Sequence, residues 1–407
     1  MRKIAVIGGG AAGIMAAIQA KEYGADVIIY EHMRPGKKIL STGNGRCNLG
    51  NLYLNRDCYF SHHMDRVEEC LTRFGTKETM DFFEKIGLCM KDRNGYLYPL
   101  SDQASVVLDV LINKLRRLDI PVITDEKVNK ILPGKKITLQ TDKGKRIYDG
   151  VILACGSKAA PKTGSDGSGF EFAKSLGHKL IPVLPALVQL QCKDSFCKEL
   201  AGIRCDCKIH IFHEKKELCV EEGELQLTDY GISGIPVFQL SGLVNRYMYH
   251  NKDAQLTAKI NFMPHISEKE YEKIIPYRMN ELQDCTVEEF FTGMLNQKLM
   301  KVLIKQAGLR SDLPMKKTSK KQIDTVFSYC REFEMHIVGS KGFENAQVCT
   351  GGVDLGEVTS DLESVYVPNV YFAGELLDVD GRCGGYNLQW AWTSGTIAGR
   401  AAAKQTK

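Results

Sequence analysis

Lys3-Ile4-Ala5-Val6-Ile7-Gly8-Gly9-Gly10-Ala11-Ala12-Gly13 stands near the start of the chain, and its reading decides the fold. The apolar run 3–7 reads as a short buried strand, 8–13 as a turn, and the alanine-rich run 11–23 as a helix stopped by Gly24. A second apolar strand, 26–31, ends on Glu31, 18 positions after Gly13. Strand, helix and strand within about 30 residues is the unit from which parallel sheets are built. The turn fits the pattern GxGxxG, and each glycine in it has a separate task. Gly8 permits the tight turn, Gly10 lets the backbone approach a pyrophosphate, and Gly13 lets helix and strand pack closely. The helix start, Ala11 and Ala12 included, offers free N–H groups and a positive dipole end to phosphates. Glu31 can accept hydrogen bonds from a ribose diol, and its charge disfavours a 2′-phosphate. An ADP-containing dinucleotide is the expected ligand. The loop alone suits both an NAD dehydrogenase and an FAD enzyme, and no second strand–GxGxxG–helix unit occurs in the chain.

Working outward, 407 residues are enough for two or three domains at roughly 150 residues each. Hydrophobic residues at 43% and charged residues at 25% exclude a mostly disordered chain, a collagen-like repeat and a disulfide miniprotein. The 54 basic residues against 49 acidic ones are too even to imply a nucleic-acid or membrane partner. Met1-Arg2-Lys3 and the apolar run after it mimic a signal peptide, but glycines interrupt the run and no convincing cleavage motif follows. No run of about 18 apolar residues predicts a transmembrane helix. The 14 cysteines are scattered without a CxxC pair, so free thiols in a reducing cytoplasm are expected.

Further along, 34–51 is a glycine- and asparagine-rich loop, and helices are predicted near 65–74, 77–86 and 101–118. Strands are predicted at 122–128, 136–141 and 146–154, and 187–263 reads as β-rich, with alternation at 203–212 and 254–261. Residues 267–332 read as helices, strands return after Gly339, and 370–373 leads through a glycine-rich turn to a last helix at 388–404.

Several stretches carry a family resemblance. Ser41-Thr42-Gly43-Asn44-Gly45-Arg46-Cys47-Asn48 is followed in order by Tyr98-Pro99-Leu100-Ser101, Pro161-Lys162-Thr163-Gly164-Ser165-Asp166-Gly167, Gly177-His178 and Pro185-Ala186-Leu187-Val188. Later come Gly231-Ile232-Ser233-Gly234, Thr350-Gly351-Gly352-Val353, Tyr371-Phe372-Ala373-Gly374-Glu375 and Gly384-Gly385-Tyr386-Asn387-Leu388-Gln389. With these the chain resembles, over nearly its whole length, the BaiN-like (YhiN-like) family of FAD-dependent oxidoreductases. Two positions depart from the family pattern: Asp229 stands where His is common, and Cys383 where Thr or a similar residue is usual.

The resemblance implies an α/β fold: a Rossmann-like FAD-binding domain built from both chain ends (1–188 and 340–407), a β-barrel-like domain (189–264, returning near 333–350) and a helical insert (265–332). It implies that Gly8, Gly10, Ala11, Ala12, Gly13 and Glu31 hold the ADP half of FAD, with Val128 near the adenine. Lys37, Gly45, Arg46, Cys47 and Asn48 would lie on a flavin-proximal loop, with Gly156, Gly374 and Glu375 along the cofactor. Gly385, Tyr386, Asn387 and Leu388 would point the last helix at the flavin ring, too close for a Cβ at Gly385. It further implies NAD(P)H as a transient donor and a small-molecule acceptor, such as an enone C=C bond in a 3-oxo steroid or bile-acid-like compound. No catalytic residue or metal ligand is assigned; Tyr386 and Tyr230 are only candidate proton donors.

Blander readings stand beside these. Lys37 and Lys38 also fit a solvated surface pair, Arg46 a loop anchor, His62-His63 a helix-entry feature, and Trp390 and Trp392 core residues. Cys47 begins no CxxxxC motif, and Cys205 and Cys207 read as packed thiols without enough partners for a metal. The run 298–321 carries eight basic residues against one acid, Asp312. A solvated helix face is the default there, with a funnel for an anionic substrate or RNA contact as alternatives. The competing functional classes are a non-enzymatic or RNA-directed flavoprotein and a flavin monooxygenase or oxidase. The sequence does not address oligomeric state.

Overall fold

The architecture is that of a computed structural model, which describes residues 1–404. The chain separates into two compact units, residues 1–185 with 346–407, and residues 186–345. In the first, five parallel strands lie in the order Val370–Phe372, Gly150–Leu153, Lys3–Ile7, Asp26–Tyr30, Val122–Ile123. Buried on both faces, the central strands are continuous apolar runs, as a covered parallel sheet requires. The first strand–helix–strand unit forms as its sequence dictates, with Ala11–Glu22 as the helix.

The two chain ends meet helix against helix. A Cβ on Gly395 of the last helix, Tyr386–Ala403, would stand 2.4 Å from the Ala12 carbonyl oxygen, and one on Gly399 2.3 Å from that of Ala16. Small residues four apart thus let the first and last helices touch backbone to backbone. The same helix buries Trp390 and Trp392, whose indole N–H groups donate to the carbonyls of Gly374 (3.2 Å) and Leu49 (3.0 Å). Both are core residues.

Two predicted strands divide differently. The run 122–128 is a two-residue strand, Val122–Ile123, and then a turn. Val128 begins the separate strand Val128–Leu132, part of a three-stranded antiparallel sheet with Ile137–Thr141 and Gly144–Tyr148. Asp149 breaks 146–154 into the end of that sheet and the start of the parallel strand Gly150–Leu153.

The second unit contains a closed six-stranded barrel, in the order Leu190–Cys192, Gly231–Gly234, Lys216–Thr228, Arg204–His213, Leu256–Asn261, Phe333–Ser340. The β-rich reading overlooked a 16-residue helix, Ile235–His250, which starts at Gly234 with Pro236 in its first turn. Residues 267–332 form helices, three of them opened by capping boxes at Ser267, Thr286 and Ser319. Phe290, Phe291, Leu303 and Phe327 of this segment share one core with Ile209, Leu225 and Ile260 of the barrel.

Candidate functional site

The predicted site residues all lie in the first unit, most of them at two places. At the first, the turn after Lys3–Ile7 faces the ends of the neighbouring strands. Gly8 has φ +106°, and a Cβ there would stand 2.3 Å from the Ala154 carbonyl oxygen. A Cβ on Gly13 would stand 1.9 Å from the Gly8 carbonyl oxygen. Both glycines are required by the protein itself. Gly10 is different, because a Cβ there meets nothing within 4 Å. It caps the helix, whose first turn has no side-chain cap and no acidic residue, so the N–H groups and the positive dipole end stay available to an anion.

Glu31 folds back on this turn. Its carboxylate accepts from the N–H groups of Gly9 (2.7 Å) and Met33 (2.9 Å). Beside it is a recess lined by Gly8, Tyr30, Glu31, Val128, Gly164 and Asp166, with Glu126 and Cys155 also on its wall. Sequence reading missed Glu126. It is a buried carboxylate that accepts from Thr141 Oγ1 (2.5 Å) and pairs with Arg146 (3.1 Å), partners that only the three-stranded sheet brings together. Three carboxylates around one recess repel phosphate there and suit hydroxyl and amino donors, while the phosphate-seeking groups lie at the helix start. That division of charge fits the two ends of an ADP moiety. Gly156, with φ +74°, has Ser165 Oγ 3.1 Å from where a Cβ would be.

The second place is the start of the last helix. Gly385, its N-cap, has φ +93°, and a Cβ would collide with the Asn48 side-chain amide and the Gly50 carbonyl oxygen, both at 2.6 Å. Protein atoms therefore account for this glycine without any ligand, a different reason from the expected close approach of a ring. Asn48 is buried, and its amide nitrogen donates to the carbonyls of Gly50 (2.8 Å) and Leu97 (3.1 Å). The Asn387 side chain holds Gly381 at both ends, accepting from its N–H (2.8 Å) and donating to its carbonyl (2.7 Å). No side chain caps this helix, so the N–H groups of Tyr386, Asn387 and Leu388 have no partner within it.

Tyr386 is an anchor: its hydroxyl donates to the Tyr53 carbonyl (3.1 Å), and burial pushes its phenol up. Gly45 and Arg46 are exposed at the loop tip, whereas Cys47 is fully buried, with burial pushing its thiol up to about 12. A thiol enclosed in this way packs as a small apolar side chain.

Between the two places lies Gly374, where a Cβ would stand 2.8 Å from that of Ala12. The adjacent Glu375 accepts from Lys38 Nζ (2.7 Å) and Ser157 Oγ (2.8 Å). The ion pair is thus made by Lys38, one position beyond the predicted Lys37. His62 and His63 are more than a helix entry. Asp378, with no exposed side chain, accepts from the His62 N–H (3.0 Å) and lies 2.9 Å from its Nδ1, and His63 Nε2 lies 2.8 Å from Asp354. Nothing local in the sequence marks these carboxylates as partners of that dipeptide.

These features fit FAD. The family model described as the HI0933-like protein Rossmann domain matches residues 2–401. The chain belongs to this family. It is an FAD-dependent oxidoreductase of the HI0933-like type. It is 42% identical over 100% of both chains to a 3-dehydro-bile acid delta(4,6)-reductase of Clostridium scindens. It is also 27% identical to a ribosomal RNA dihydrouridine synthase of Escherichia coli, over 96% of this chain and 95% of that one. Among solved structures, a 3-ketosteroid delta1-dehydrogenase from Sterolibacterium denitrificans shares the fold. The TM-score is 0.50 and the identity 12%, covering 99% of this chain and 100% of that chain. None of the family member's helices, among the described residues, is long and apolar enough to cross a membrane.

Proposed function

We propose that this family member reduces a carbon–carbon double bond conjugated to a carbonyl in a 3-oxo bile-acid or steroid-like substrate, with NAD(P)H as electron donor, in the cytoplasm. The observation that carries this reading is the 42% identity to a bile-acid reductase along the full length of both chains. FAD, when bound, supplies the two-electron transfer. The N–H groups at the start of Ala11–Glu22 would hold the pyrophosphate beside Gly10, and Glu31 would take the ribose hydroxyls. Val128 would flank the adenine, and Gly374, Glu375 and the Lys38 ammonium would line the path between the two places. The N–H groups of Tyr386, Asn387 and Leu388 would face the ring and favour negative charge there. Tyr386 donates its proton to a backbone carbonyl and is an anchor in this scheme rather than an acid.

The test is anaerobic. Protein carrying FAD is mixed with NADH or NADPH, and the bleached flavin is then offered a 3-oxo-Δ4,6 bile acid. Return of the flavin spectrum with saturation of the double bond is the expected result. Reoxidation by oxygen alone, with peroxide or a hydroxylated product, would move the protein to the oxidase or monooxygenase class. A second reading, RNA as substrate, draws on the 27% identity to the dihydrouridine synthase. The names of both relatives describe addition of hydrogen across a carbon–carbon double bond, so the two readings differ in substrate rather than in chemistry.

A further inference from the structure

We propose that the outward face of a second three-stranded sheet in the first unit, Gly50–Asn51, Tyr96–Pro99 and Met90–Arg93, seats the substrate, and that the substrate is an acid. An apolar fused-ring body lies on Tyr96, with its carboxylate at Arg93 and Lys91. The inference rests on the function proposed above and narrows it, from steroid-like compounds in general to those with an anionic side chain.

Alternation along a strand sets the two faces. Leu97, 2% exposed, and the buried Pro99 point into the core, whereas Tyr96, 41% exposed, and Tyr98 point outward. Residues directly opposite in an antiparallel pair share a face. Tyr96 stands opposite Asn51 on one side and Arg93 on the other, and Tyr98 stands opposite Lys91. Two aromatic rings and two cations thus lie side by side, with the Arg93 guanidinium 5.6 Å from the centre of the Tyr98 ring. Tyr53, 68% exposed, extends the aromatic surface over Gly95, where a Cβ would stand 2.4 Å from its ring.

Charge and position select the ligand. Lys91 and Arg93 lie 2.5 and 2.6 Å from the same carboxylate oxygen of Asp102. Two cations on one carboxylate leave a positive charge over, and the Arg93 side chain is 42% exposed. An exposed aromatic face with a surplus cation at its edge complements an apolar molecule with one negative end. The face also borders the start of the last helix. A Cβ on Gly384 would stand 2.8 Å from Tyr96 Cε1, and Asn51 Nδ2 donates to the Gly384 carbonyl at 3.1 Å. At another border a Cβ on Gly43 would stand 3.5 Å from Tyr98 Cε1, and the exposed Arg46 follows on that loop. Strand spacing puts about 10 Å of face between Asn51 and Arg93. A fused-ring acid lying across it has its ketone end at the Gly384–Gly385 turn and its tail at the cations. A neutral steroid would leave the surplus charge unmet. RNA also offers rings and anions, but its successive phosphates call for a row of cations, and Asp102 already neutralises one of the two on this sheet.

The experiment uses full-length protein carrying oxidised FAD, and calorimetry with a saturated 3-oxo bile acid and its methyl ester, which share a ring body and differ in charge. At about 50 mM salt the acid should bind at least about fivefold tighter, the effect of one exposed ion pair, and the preference should shrink at about 500 mM. Arg93→Gln should bring the ratio of the two affinities close to one, and Tyr96→Ala should weaken acid and ester alike. Equal affinities in the wild type, a preference that salt leaves untouched or that survives Arg93→Gln, or undiminished binding in Tyr96→Ala would overturn the proposal. So would a ribosomal RNA fragment bound through Arg93 while the acid is not, or a dimer that Tyr96→Glu splits, which would assign the face to a second copy of the chain. The wild-type comparison decides whether or not the variants fold. Anaerobic reoxidation of the reduced flavin by the Δ4,6 acid is scored separately. Selective binding without turnover would refute the reductase reading and leave this site standing, whereas turnover with equal affinity for acid and ester would do the reverse.

Discussion

Gly10 and Gly13 stand three residues apart in one loop and answer to different constraints, which makes them separable by substitution. Gly13→Ala places a methyl group 1.9 Å from the Gly8 carbonyl oxygen, a backbone atom that cannot swing aside. We expect a stability loss of about 1–3 kcal/mol or more, whether or not FAD is present. Gly10→Ala adds a methyl group that meets no protein atom, at φ −80°, where alanine is comfortable. The FAD-stripped variant should lose only a few tenths of a kcal/mol at the N-cap, while FAD affinity should fall at least about tenfold. Melting curves of stripped protein and FAD titrations measure the two effects; a stripped Gly10→Ala protein as unstable as Gly13→Ala would refute the distinction. Glu31→Ala should weaken FAD retention by about 1.5–3 kcal/mol, roughly 10- to 150-fold, through the lost charge-assisted hydrogen bonds. Such positions are legible in sequence because their constraint lies within about 30 residues of chain. The constraint on Gly385 comes from Asn48 and Gly50, near the other end of the chain, and no local pattern shows it. A Gly385→Val variant would consequently report on that packing before it reported on any ring.

The elements themselves follow a similar rule. The first strand–helix–strand unit, the capped helices of 267–332 and the last helix are each announced by caps, glycines or apolar runs inside their own borders. The helix Ile235–His250 was hidden by its neighbours: strands flank it on both sides, and its Gly-Ile-Pro start reads as a turn until the helix is seen to follow. Val128 closes the predicted strand 122–128 but begins a separate strand in the structure, because a two-residue edge strand leaves almost no periodicity to read. What joins the chain ends is the crossing of Ala11–Glu22 with Tyr386–Ala403. Gly399→Val should therefore unfold the first unit rather than trim one helix. A Cβ 2.3 Å from the Ala16 carbonyl oxygen forces the helices apart, at about 3 kcal/mol or more. A clear fall in the urea midpoint together with loss of bound FAD is the expected result. A normal midpoint would mean that the crossing tolerates separation.

At the scale of the whole molecule, charge determines two behaviours. His178 is buried, with Nε2 2.7 Å from Ser364 Oγ, and burial outweighs Glu357 in holding its pKa below the ordinary 6.5. The unfolded chain then takes up a proton that the folded one refuses. Stability should be level above about pH 6.5 and fall below it, by at most about 1.4 kcal/mol per pH unit. His178→Gln should flatten the slope between about pH 5 and 6.5, as read from urea midpoints across that range.

The second behaviour separates the two substrate readings. Of the eight basic residues in 298–321, Lys301 pairs with Glu288, Lys305 with Glu199, Arg310 with Asp312 and Lys316 with Asp284, and Lys298 donates to a backbone carbonyl. All but one of those acids lie outside the run, so a count along the sequence could not include them. Among the described residues, Lys317, Lys320 and Lys321 are left without such a pair. If each phosphate contact on single-stranded RNA contributes about 0.7 to the salt slope, three contacts give a slope near −2 and eight give one near −6. Between 50 and 200 mM salt, affinity should then fall about twentyfold rather than some two-thousandfold. Titration of a ribosomal RNA fragment across that range measures the difference. The shallow slope is the expected outcome for a small-molecule reductase whose basic run is largely spent on its own carboxylates. A steep slope, made shallower by about 2 in Lys317→Ala/Lys320→Ala/Lys321→Ala, would favour RNA as the substrate over the bile-acid reading.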